Sequence, residues 1–352
     1  MKLLCVITGG TFGSNKTDKG IGINVAVDLK LLKNTVKKYF SDSISIDFIT
    51  PIFKLSENID ERDWNILNRE IEDKIDSYDS VLVVHGTDTM AYTSSALSYN
   101  ENISKKKPIV VTGANLPLSF DNTDAIVNFV QSIQALEKFI KLDVKGVFIV
   151  FNGSNNFNSK ALIHLGTRVK KDKWEESCYR SFYINSQYLG YITNHEFSFD
   201  IEKYDHLFNK KILYKNQIIY DSKKVSSFKI YPGFDPSILQ REFDYGKRYF
   251  IIEIYNSGTA PIKDTHLSLY KSLHYIHEMG GIVFAVSQHE GKSGATMDIY
   301  ESSKMLRELS IIPLKDIIWE SAVVKLMNAS TLFNDKDALI KYMLKNISGE
   351  IL

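Results

Sequence analysis

Short apolar runs in the first half of the chain predict the strands of a parallel β-sheet. The runs are continuous rather than alternating, as expected for strands covered on both faces, and they cover residues 3–7, 81–84, 109–111 and 147–151. Helical patterns lie between them, with apolar residues three and four positions apart from Trp64 to Ile75 and from Ile126 to Ile140. Ligands of such open sheets bind at the carboxyl ends of the strands, so the segments that follow the first three runs should share one crevice.

The same alternation restarts after a polar stretch at residues 191–226. It predicts strands at residues 250–254 and 282–286 and helices near residues 267–279 and 336–346. A chain of 352 residues is longer than one hydrophobic core usually serves, although a single large domain is the alternative. We therefore predict an α/β protein with a larger N-terminal parallel-sheet, flavodoxin-like domain and a smaller C-terminal parallel-sheet domain. The expected boundaries are 1–200, a linker at 201–225, and 226–352.

Composition and charge exclude several classes of protein. The net charge is +1, and the short lysine runs do not form the basic stripe of a nucleic-acid-binding protein. Only Cys5 and Cys178 are present, which indicates a reducing compartment, and the N-terminal apolar run is too short for a signal peptide or membrane span. We expect a cytoplasmic protein without a membrane segment. No metal is predicted, because His-Glu-x-x-His and Cys/His clusters are missing, and no cofactor is implied.

Three turns that are rich in threonine and glycine follow the predicted strands. Residues 8–14 read Thr-Gly-Gly-Thr-Phe-Gly-Ser, residues 85–90 read His-Gly-Thr-Asp-Thr-Met, and residues 112–117 read Thr-Gly-Ala-Asn-Leu-Pro. Glycine lets the backbone turn sharply there. Each turn alone is explained by helix capping, for example through Asp88 or Thr89. Three of them at one sheet edge favour a site, but none fits a nucleotide-binding fingerprint, so a non-catalytic nucleotide-binding module is only an alternative.

These turns resemble the signature motifs of the bacterial-type L-asparaginase family, and the chain looks most like its cytoplasmic, type I branch. The T-G-G-T and H-G-T-D-T-M motifs stand intact and in order. The turn at residues 112–117 and the Tyr-Pro-Gly stretch at residues 231–233 are supporting matches, so the resemblance covers nearly the whole chain. It implies hydrolysis of the side-chain amide of L-asparagine to L-aspartate and ammonia.

The resemblance also implies a set of catalytic residues. Thr11 is the nucleophile, and because a neutral hydroxyl is a poor nucleophile it needs a base or a proton relay. The relay maps onto Thr87, Asp88 and a downstream lysine. The family's lysine closes a G-x-[RD]-[VT]-x-K stretch, which residues 166–171 match with Lys171 in the last position. Other lysines fit less well: Lys160, Lys170 and Lys173.

Substrate binding maps onto a second set of residues. Ser56 and Glu57 match the pair that holds the α-carboxylate and α-amino groups, and Asp88 also faces the α-amino group. A carboxylate there selects a free amino acid, because its charge would otherwise stay unpaired. Backbone amides are expected to stabilise the oxyanion at Gly10, Thr11 or Ala114. His85, although next to the chemistry, is expected to be structural, and Cys5 a small core residue.

The chain departs from the family pattern at three places. The loop at residues 18–23 lacks the tyrosine that many members place there. An Asn-rich insertion occupies residues 152–158, and Thr259 stands where the family commonly has an asparagine. The lysine stretch and residues 184–186 resemble the glutaminase subunit of a tRNA-dependent amidotransferase, which is the first alternative function. An amidohydrolase that acts on a related amide is another. The resemblance further implies a homodimer or homotetramer with L-asparagine as the small-molecule substrate, and the near-neutral charge predicts no nucleic-acid partner.

Overall fold

A computed structural model describes most of the chain. The described residues are 1–17, 20–22, 27–172, 179–181, 188–208, 211–214, 217–263, 265–288, 297 and 300–352. Several positions named above lie outside them: Asp18, Lys19 and Ile23 of the loop, Lys173, Cys178, and residues 184–186. The described residues form two compact units that divide between Ile218 and Ile219.

The first unit contains an eight-stranded sheet, two small hairpins and flanking helices. Its strands are β1 (Lys2–Ile7), β2 (Asn15–Thr17), β3 (Gly20–Gly22), β4 (Ser45–Ile49), β5 (Ser80–Val84), β6 (Pro108–Thr112), β7 (Gly146–Phe151), β8 (Ala161–Leu165), β9 (Val169–Lys171), β10 (Tyr179–Ser181), β11 (Gly190–Ile192) and β12 (Phe197–Phe199). Its α-helices are α1 (Leu29–Phe40), α2 (Glu61–Glu72), α3 (Met90–Tyr99), α4 (Glu101–Ser104), α5 (Ala125–Lys141) and α6 (Ile201–Leu207). Short 3-10 turns are Thr11–Gly13, Ser56–Asn58 and Ile75–Ser77.

The large sheet has the order β12-β11-β8-β7-β6-β5-β1-β4, and its five strands from β7 to β4 are parallel. The register aligns Ile7, Val84 and Thr112 at the ends of β1, β5 and β6. The residues of β5 and β6 are buried throughout, which explains why their sequences are continuously apolar. The three motif turns therefore leave the sheet side by side at its carboxyl edge.

The other strands make the sheet mixed, whereas the sequence predicts a parallel one. Strand β8 pairs antiparallel with β7, and β11 and β12 continue antiparallel pairing. Only residues 152–160 connect β7 to β8, and they contain no helix. A parallel return would need a longer crossover, so the chain turns back beside β7 instead.

Helix α2 illustrates how the sequence defines an element. Asp60 caps it by accepting a hydrogen bond of 2.9 Å from the Arg62 amide, and the Asp63 carboxylate accepts one of 3.0 Å from the Asp60 amide. This reciprocal capping satisfies N–H groups that have no partner inside the helix. The apolar residues on the buried face of the helix are Trp64, Leu67 and Ile71. Each such buried side chain stabilises the fold by about 1.5–3 kcal/mol.

The second unit is built on a smaller parallel sheet of order β13-β14-β15-β16. Its strands are β13 (Val225–Lys229), β14 (Tyr249–Ile254), β15 (Ile282–Ser287) and β16 (Ile312–Pro313), and its helices are α7 (Ser237–Asp244), α8 (Tyr270–Glu278), α9 (Glu301–Glu308), α10 (Trp319–Leu332) and α11 (Lys336–Met343). Apolar residues of β14, β15 and α8 form one core. The predicted fold class, a larger and a smaller α/β unit, is confirmed. None of the helices within the described residues is long and apolar enough to span a bilayer.

Candidate active site

The T-G-G-T turn is fixed between the end of β5 and the segment before the Ser56–Asn58 turn. The Thr8 amide donates to the Val84 carbonyl over 2.9 Å, and the Lys54 amide donates to the Thr8 carbonyl over 2.9 Å. Gly10 then adopts a φ of 66°, which favours glycine. The chain continues as the 3-10 turn Thr11–Gly13, in which Thr11 is half-buried.

Two glycines bring the motif turns into direct contact. A methyl carbon added to Gly10 would lie 2.2 Å from the Gly86 Cα atom, and one added to Gly86 would lie 2.6 Å from the Ser56 Oγ atom. Both distances are well inside van der Waals contact, so only glycine fits at either position. The residues that follow these glycines, Thr11 and Thr87, therefore extend from adjoining turns.

Lys171 joins this edge from the end of β9. Its Nζ atom donates to Thr87 Oγ1 over 2.9 Å and to Asp88 Oδ1 over 2.6 Å. Thr87 is buried, whereas the Lys171 side chain is 23% and the Asp88 side chain 62% exposed. A hydroxyl, an amine and a carboxylate thus form one hydrogen-bonded chain that reaches from the protein interior to solvent.

Ser56 and Glu57 begin the 3-10 turn beside this chain. Ser56 is buried, and its carbonyl accepts a hydrogen bond of 2.8 Å from Thr89 Oγ1. Thr89 stands at the N-cap position of α3 but does not cap it with its side chain, so helix capping does not explain this residue. Glu57 is exposed, and no hydrogen bond or ion pair joins it to another residue of the described chain.

An ion pair that the sequence analysis missed brackets the Ser56–Asn58 turn. Lys54 Nζ lies 2.8 Å from both carboxylate oxygens of Asp63, whose side chain is buried. The Lys54 backbone also pairs with Thr8 and Gly10. The same residue therefore connects the T-G-G-T turn to the segment with Ser56. A Lys and an Asp nine positions apart carry no recognisable signal until the chain between them is known to double back.

The backbone amides proposed for an oxyanion site differ in their surroundings. The Gly10 amide already donates to the Lys54 carbonyl over 2.9 Å, so it is not available to a substrate oxygen in this conformation. Within the described residues, the amides of Thr11 and Ala114 have no acceptor. Ala114 is fully buried, while Thr11 is accessible. Of these three residues, Thr11 alone is accessible and has a backbone amide without an acceptor among the described residues.

The third motif turn is held by Asp124, which the sequence analysis also missed. Its carboxylate accepts hydrogen bonds of 2.9 and 3.0 Å from the Asn115 amide and of 3.0 Å from the Leu116 amide. Burial raises the pKa of the Asp124 carboxyl, and these backbone hydrogen bonds counteract the rise. The acid thus fixes the loop that follows Ala114.

The other lysine candidates have different surroundings. Lys160 places its ammonium group 3.9 Å from the centre of the Tyr191 ring, a cation–π contact outside this cluster. Lys170 precedes Lys171 on β9, where successive side chains point to opposite faces, and it pairs in register with Arg180. Among the described lysines of this stretch, only Lys171 contacts Thr87 and Asp88.

The two departures that lie in described residues form local turns. The Asn152 side chain donates to Gln131 Oε1 over 2.9 Å and to the Ser159 carbonyl over 3.0 Å. The Asn-rich insertion is therefore closed on itself and tied to α5. In the second unit, the Thr259 carbonyl accepts a hydrogen bond of 2.9 Å from the Tyr255 amide across a turn at Gly258.

Two buried histidines flank the cluster without joining it. Nδ1 of His85 lies 2.7 Å from the Gly86 carbonyl, and Nδ1 of His164 lies 2.6 Å from Ser181 Oγ. The Nε2 atoms of both rings are buried without a partner. Burial lowers the pKa of His85 to about 4 and that of His164 to about 3, so both rings are neutral near pH 7. This supports a structural role for His85.

These two histidines predict that the fold loses stability in mild acid. As pH falls below 6.5, the ordinary value, the unfolded chain binds protons that the folded chain does not take up until about pH 4 or 3. The two neutral histidines therefore contribute fully to the free energy of unfolding above pH 6.5, and this contribution decreases as the pH is lowered. The free energy of unfolding should fall by roughly 2 kcal/mol between pH 6 and pH 5. Urea unfolding at the two values measures the change. The exposed His195, replaced by glutamine, serves as the control and should leave the change unaltered; an equal free energy of unfolding at both pH values would contradict the prediction.

No group of His, Cys, Asp and Glu suited to a metal ion occurs in the part of the chain that the structure describes. Cys5 is a free, fully buried thiol in β1, and burial raises its pKa well above the ordinary value. The thiolate form is therefore disfavoured, so Cys5 packs as a core residue.

Comparisons with known proteins show which family the chain belongs to. Residues 2–204, more than half of the chain, match the family described as Asparaginase, N-terminal. An L-asparaginase from Thermococcus kodakarensis is 28% identical over 355 aligned residues, covering 100% of this chain and 99% of that protein. A glutamyl-tRNA(Gln) amidotransferase subunit from Methanococcus maripaludis is 26% identical over 350 residues, covering 98% of this chain and 79% of that protein.

Solved structures agree with the sequence comparisons. The thermostable L-asparaginase from Thermococcus kodakarensis superposes with a TM-score of 0.80 at 26% identity, covering 100% of this chain and 99% of that one. L-asparaginase I from Vibrio cholerae superposes with a TM-score of 0.76 at 21% identity over the same shares of the two chains, and this likeness concerns the fold alone. With the family match extending over both signature turns and the fold shared along the whole chain, this protein belongs to the asparaginase family of amidohydrolases.

Proposed function

We propose that this protein hydrolyses the side-chain amide of L-asparagine to L-aspartate and ammonia, with Thr11 as the nucleophile. One observation carries the proposal: Lys171 Nζ is hydrogen-bonded to both Thr87 Oγ1 and Asp88 Oδ1, beside the turn that bears Thr11. A hydroxyl nucleophile needs a neighbouring proton relay. The three bonded groups can supply that relay.

The reaction proceeds through an acyl-enzyme. Thr11 Oγ1 attacks the amide carbon and loses its proton, the C–N bond breaks, and the nitrogen leaves as ammonia after accepting one proton. Water then attacks the ester carbon, gives one proton to the relay, and releases aspartate while the proton returns to Thr11 Oγ1. Thr87 transfers protons between water and Lys171 Nζ, and Asp88 orients the Lys171 side chain. The Thr11 amide stabilises the negative oxygen of both intermediates.

Two carboxylates favour a free amino acid as the substrate. Glu57 is exposed without a charged partner in the described residues, and Asp88 is also exposed. An α-ammonium group can pair with both, while Ser56 binds the α-carboxylate. A peptide-bonded or acylated asparagine lacks this cation. It would leave Glu57 without a charged partner and Asp88 with Lys171 alone.

A glutaminase role within an amidotransferase is the second candidate function. The observation in its favour is that the amidotransferase relative aligns with 98% of this chain at 26% identity, close to the 28% of the L-asparaginase. Such a role would require glutamine as the ammonia source. It would also require a partner that presents the acceptor tRNA.

An ammonia-release assay on the purified chain separates the two functions. We expect release from L-asparagine without tRNA or a second protein, and slower release from L-glutamine. Acetylating the α-amino group of asparagine should lower kcat/KM by about 100-fold, because Glu57 loses its cationic partner and Asp88 keeps only Lys171. Release from glutamine alone, and only when a partner and misacylated tRNA are added, would contradict the proposal and favour the amidotransferase role.

Three further proposals rest on the sequence and the resemblance. We place the protein in the cytoplasm because it has two cysteines, as expected for a reducing compartment. We assign it a homodimer or homotetramer, by resemblance to the family. From the sequence pattern we propose domains at 1–200 and 226–352 with a linker at 201–225; the division of the two compact units, between Ile218 and Ile219, falls inside that linker.

A further inference from the structure

Tyr179 approaches the proposed relay from the strand beside Lys171. In the β9–β10 hairpin, Tyr179 is the residue directly opposite Lys171. Its hydroxyl donates a hydrogen bond of 2.6 Å to the Thr87 carbonyl. Lys171 therefore holds the side chain of Thr87, and the residue paired with Lys171 holds the backbone of the same threonine.

The Tyr179 ring is fixed by the core. The residue is 3% exposed, and its ring packs edge-on against Phe151, with the centroids 5.3 Å apart and the planes at 71°. Val169 belongs to the same apolar cluster. The hydroxyl therefore cannot leave the Thr87 carbonyl without moving a packed aromatic ring, which is costly in a close-packed interior.

We propose that Tyr179 is a positioning residue for amide hydrolysis. It sets the backbone of Thr87 so that Thr87 Oγ1 stays within hydrogen-bond distance of Lys171 Nζ during proton transfer. The inference rests on the proposed function, because it assigns a task within the same relay. Small displacements of reacting groups slow a reaction strongly, so a fixed Thr87 backbone raises kcat more than it affects substrate binding.

Tyr179→Phe tests this task because the variant keeps the ring and removes only the hydroxyl. We expect kcat for L-asparagine to fall about tenfold, the equivalent of one lost hydrogen bond, with KM changed by less than about twofold. Tyr204→Phe is the matched control. Tyr204 is also fully buried in the first unit, and its hydroxyl donates to the Lys145 carbonyl over 2.7 Å, away from the relay.

The two variants should have similarly lowered melting temperatures, but only Tyr179→Phe should lose turnover. The inference is overturned if Tyr179→Phe keeps kcat within about twofold of the wild type, if its KM rises in place of the fall in kcat, or if Tyr204→Phe loses kcat to the same extent. A wild-type protein that releases no ammonia from any amide would instead contradict the proposed function.

Discussion

Replacing Lys171 with methionine is expected to lower kcat for L-asparagine about 1,000-fold, with little change in KM. Positioned acid–base groups contribute roughly 100- to 10,000-fold to a rate. Lys171 is the described group that joins Thr87 Oγ1 to Asp88 Oδ1. Methionine keeps a long, apolar side chain, so the substitution removes the amine and little of the packing. Steady-state ammonia release across a range of asparagine concentrations gives both constants.

Two further variants make this result specific. Lys170→Met changes the neighbouring lysine of β9, whose side chain points to the other face of the strand, and should keep kcat within about twofold of the wild type. Thr11→Ala lacks the proposed nucleophile and defines the background of the assay. If Lys171→Met turns over within about tenfold of the wild type, Lys171 has no part in the proton relay.

The strands and their common edge could be predicted because strands that are buried on both faces have continuously apolar sequences. The run at residues 81–84 lies in β5, which is fully buried. Once such runs are assigned to parallel strands, the turns that follow them must meet at one edge. The proximity of the turns at Thr11 and Thr87 could be predicted from the sequence for this reason, whereas the roles of the two threonines are implied only by the resemblance to the family.

The sheet extension and the residues that hold the site could not be predicted in this way. Strands β11 and β12 are three residues long, too short for a periodic pattern. Tyr179 and Asp124 act through backbone groups of Thr87 and Asn115, and a carbonyl or an amide has no signature in the sequence. Such partners are visible only after the chain has folded.

The position of Lys171 could be predicted only in part. Charge and spacing alone do not separate it from Lys160, Lys170 or Lys173, and only the resemblance of residues 166–171 to the family pattern singles it out. Geometry supplies the physical reason: β9 directs Lys171 to the end of β5, while the Lys160 ammonium lies over the Tyr191 ring. The Gly10 amide is the opposite example, because the oxyanion-binding role predicted for it conflicts with its hydrogen bond to the Lys54 carbonyl.

A buried ion pair in the second unit joins the end of the chain to α10. Lys325 and Glu350 both have side-chain exposures of 0%. Lys325 Nζ donates to Glu350 Oε1 and to the Met343 and Lys345 carbonyls, while the Glu350 carboxylate accepts the amides of Ile347 and Ser348. Burial lowers the pKa of Lys325, and the Glu350 carboxylate counteracts this effect. Both charges are therefore compensated inside the protein.

Breaking this pair is expected to destabilise the second unit by about 3–5 kcal/mol, because Lys325→Met leaves the buried Glu350 carboxylate without its cation. Glu350→Leu should cost a similar amount for the opposite charge. The double variant Lys325→Met/Glu350→Leu should recover much of the loss, since no uncompensated charge remains and apolar side chains fill the volume. Urea unfolding of the variants, combined as a double-mutant cycle, measures the coupling.

Lys263→Met is the matched control, because the ion pair of Lys263 with Glu301 lies in the same unit with both side chains more than half exposed. An exposed pair contributes about 0–1 kcal/mol, so this variant should unfold close to the wild type. Additive losses in the double variant would mean that Lys325 and Glu350 stabilise the fold separately. Strong non-additivity would instead show that each buried charge is stabilised mainly by the other, through the ion pair that joins Glu350 to Lys325 of α10.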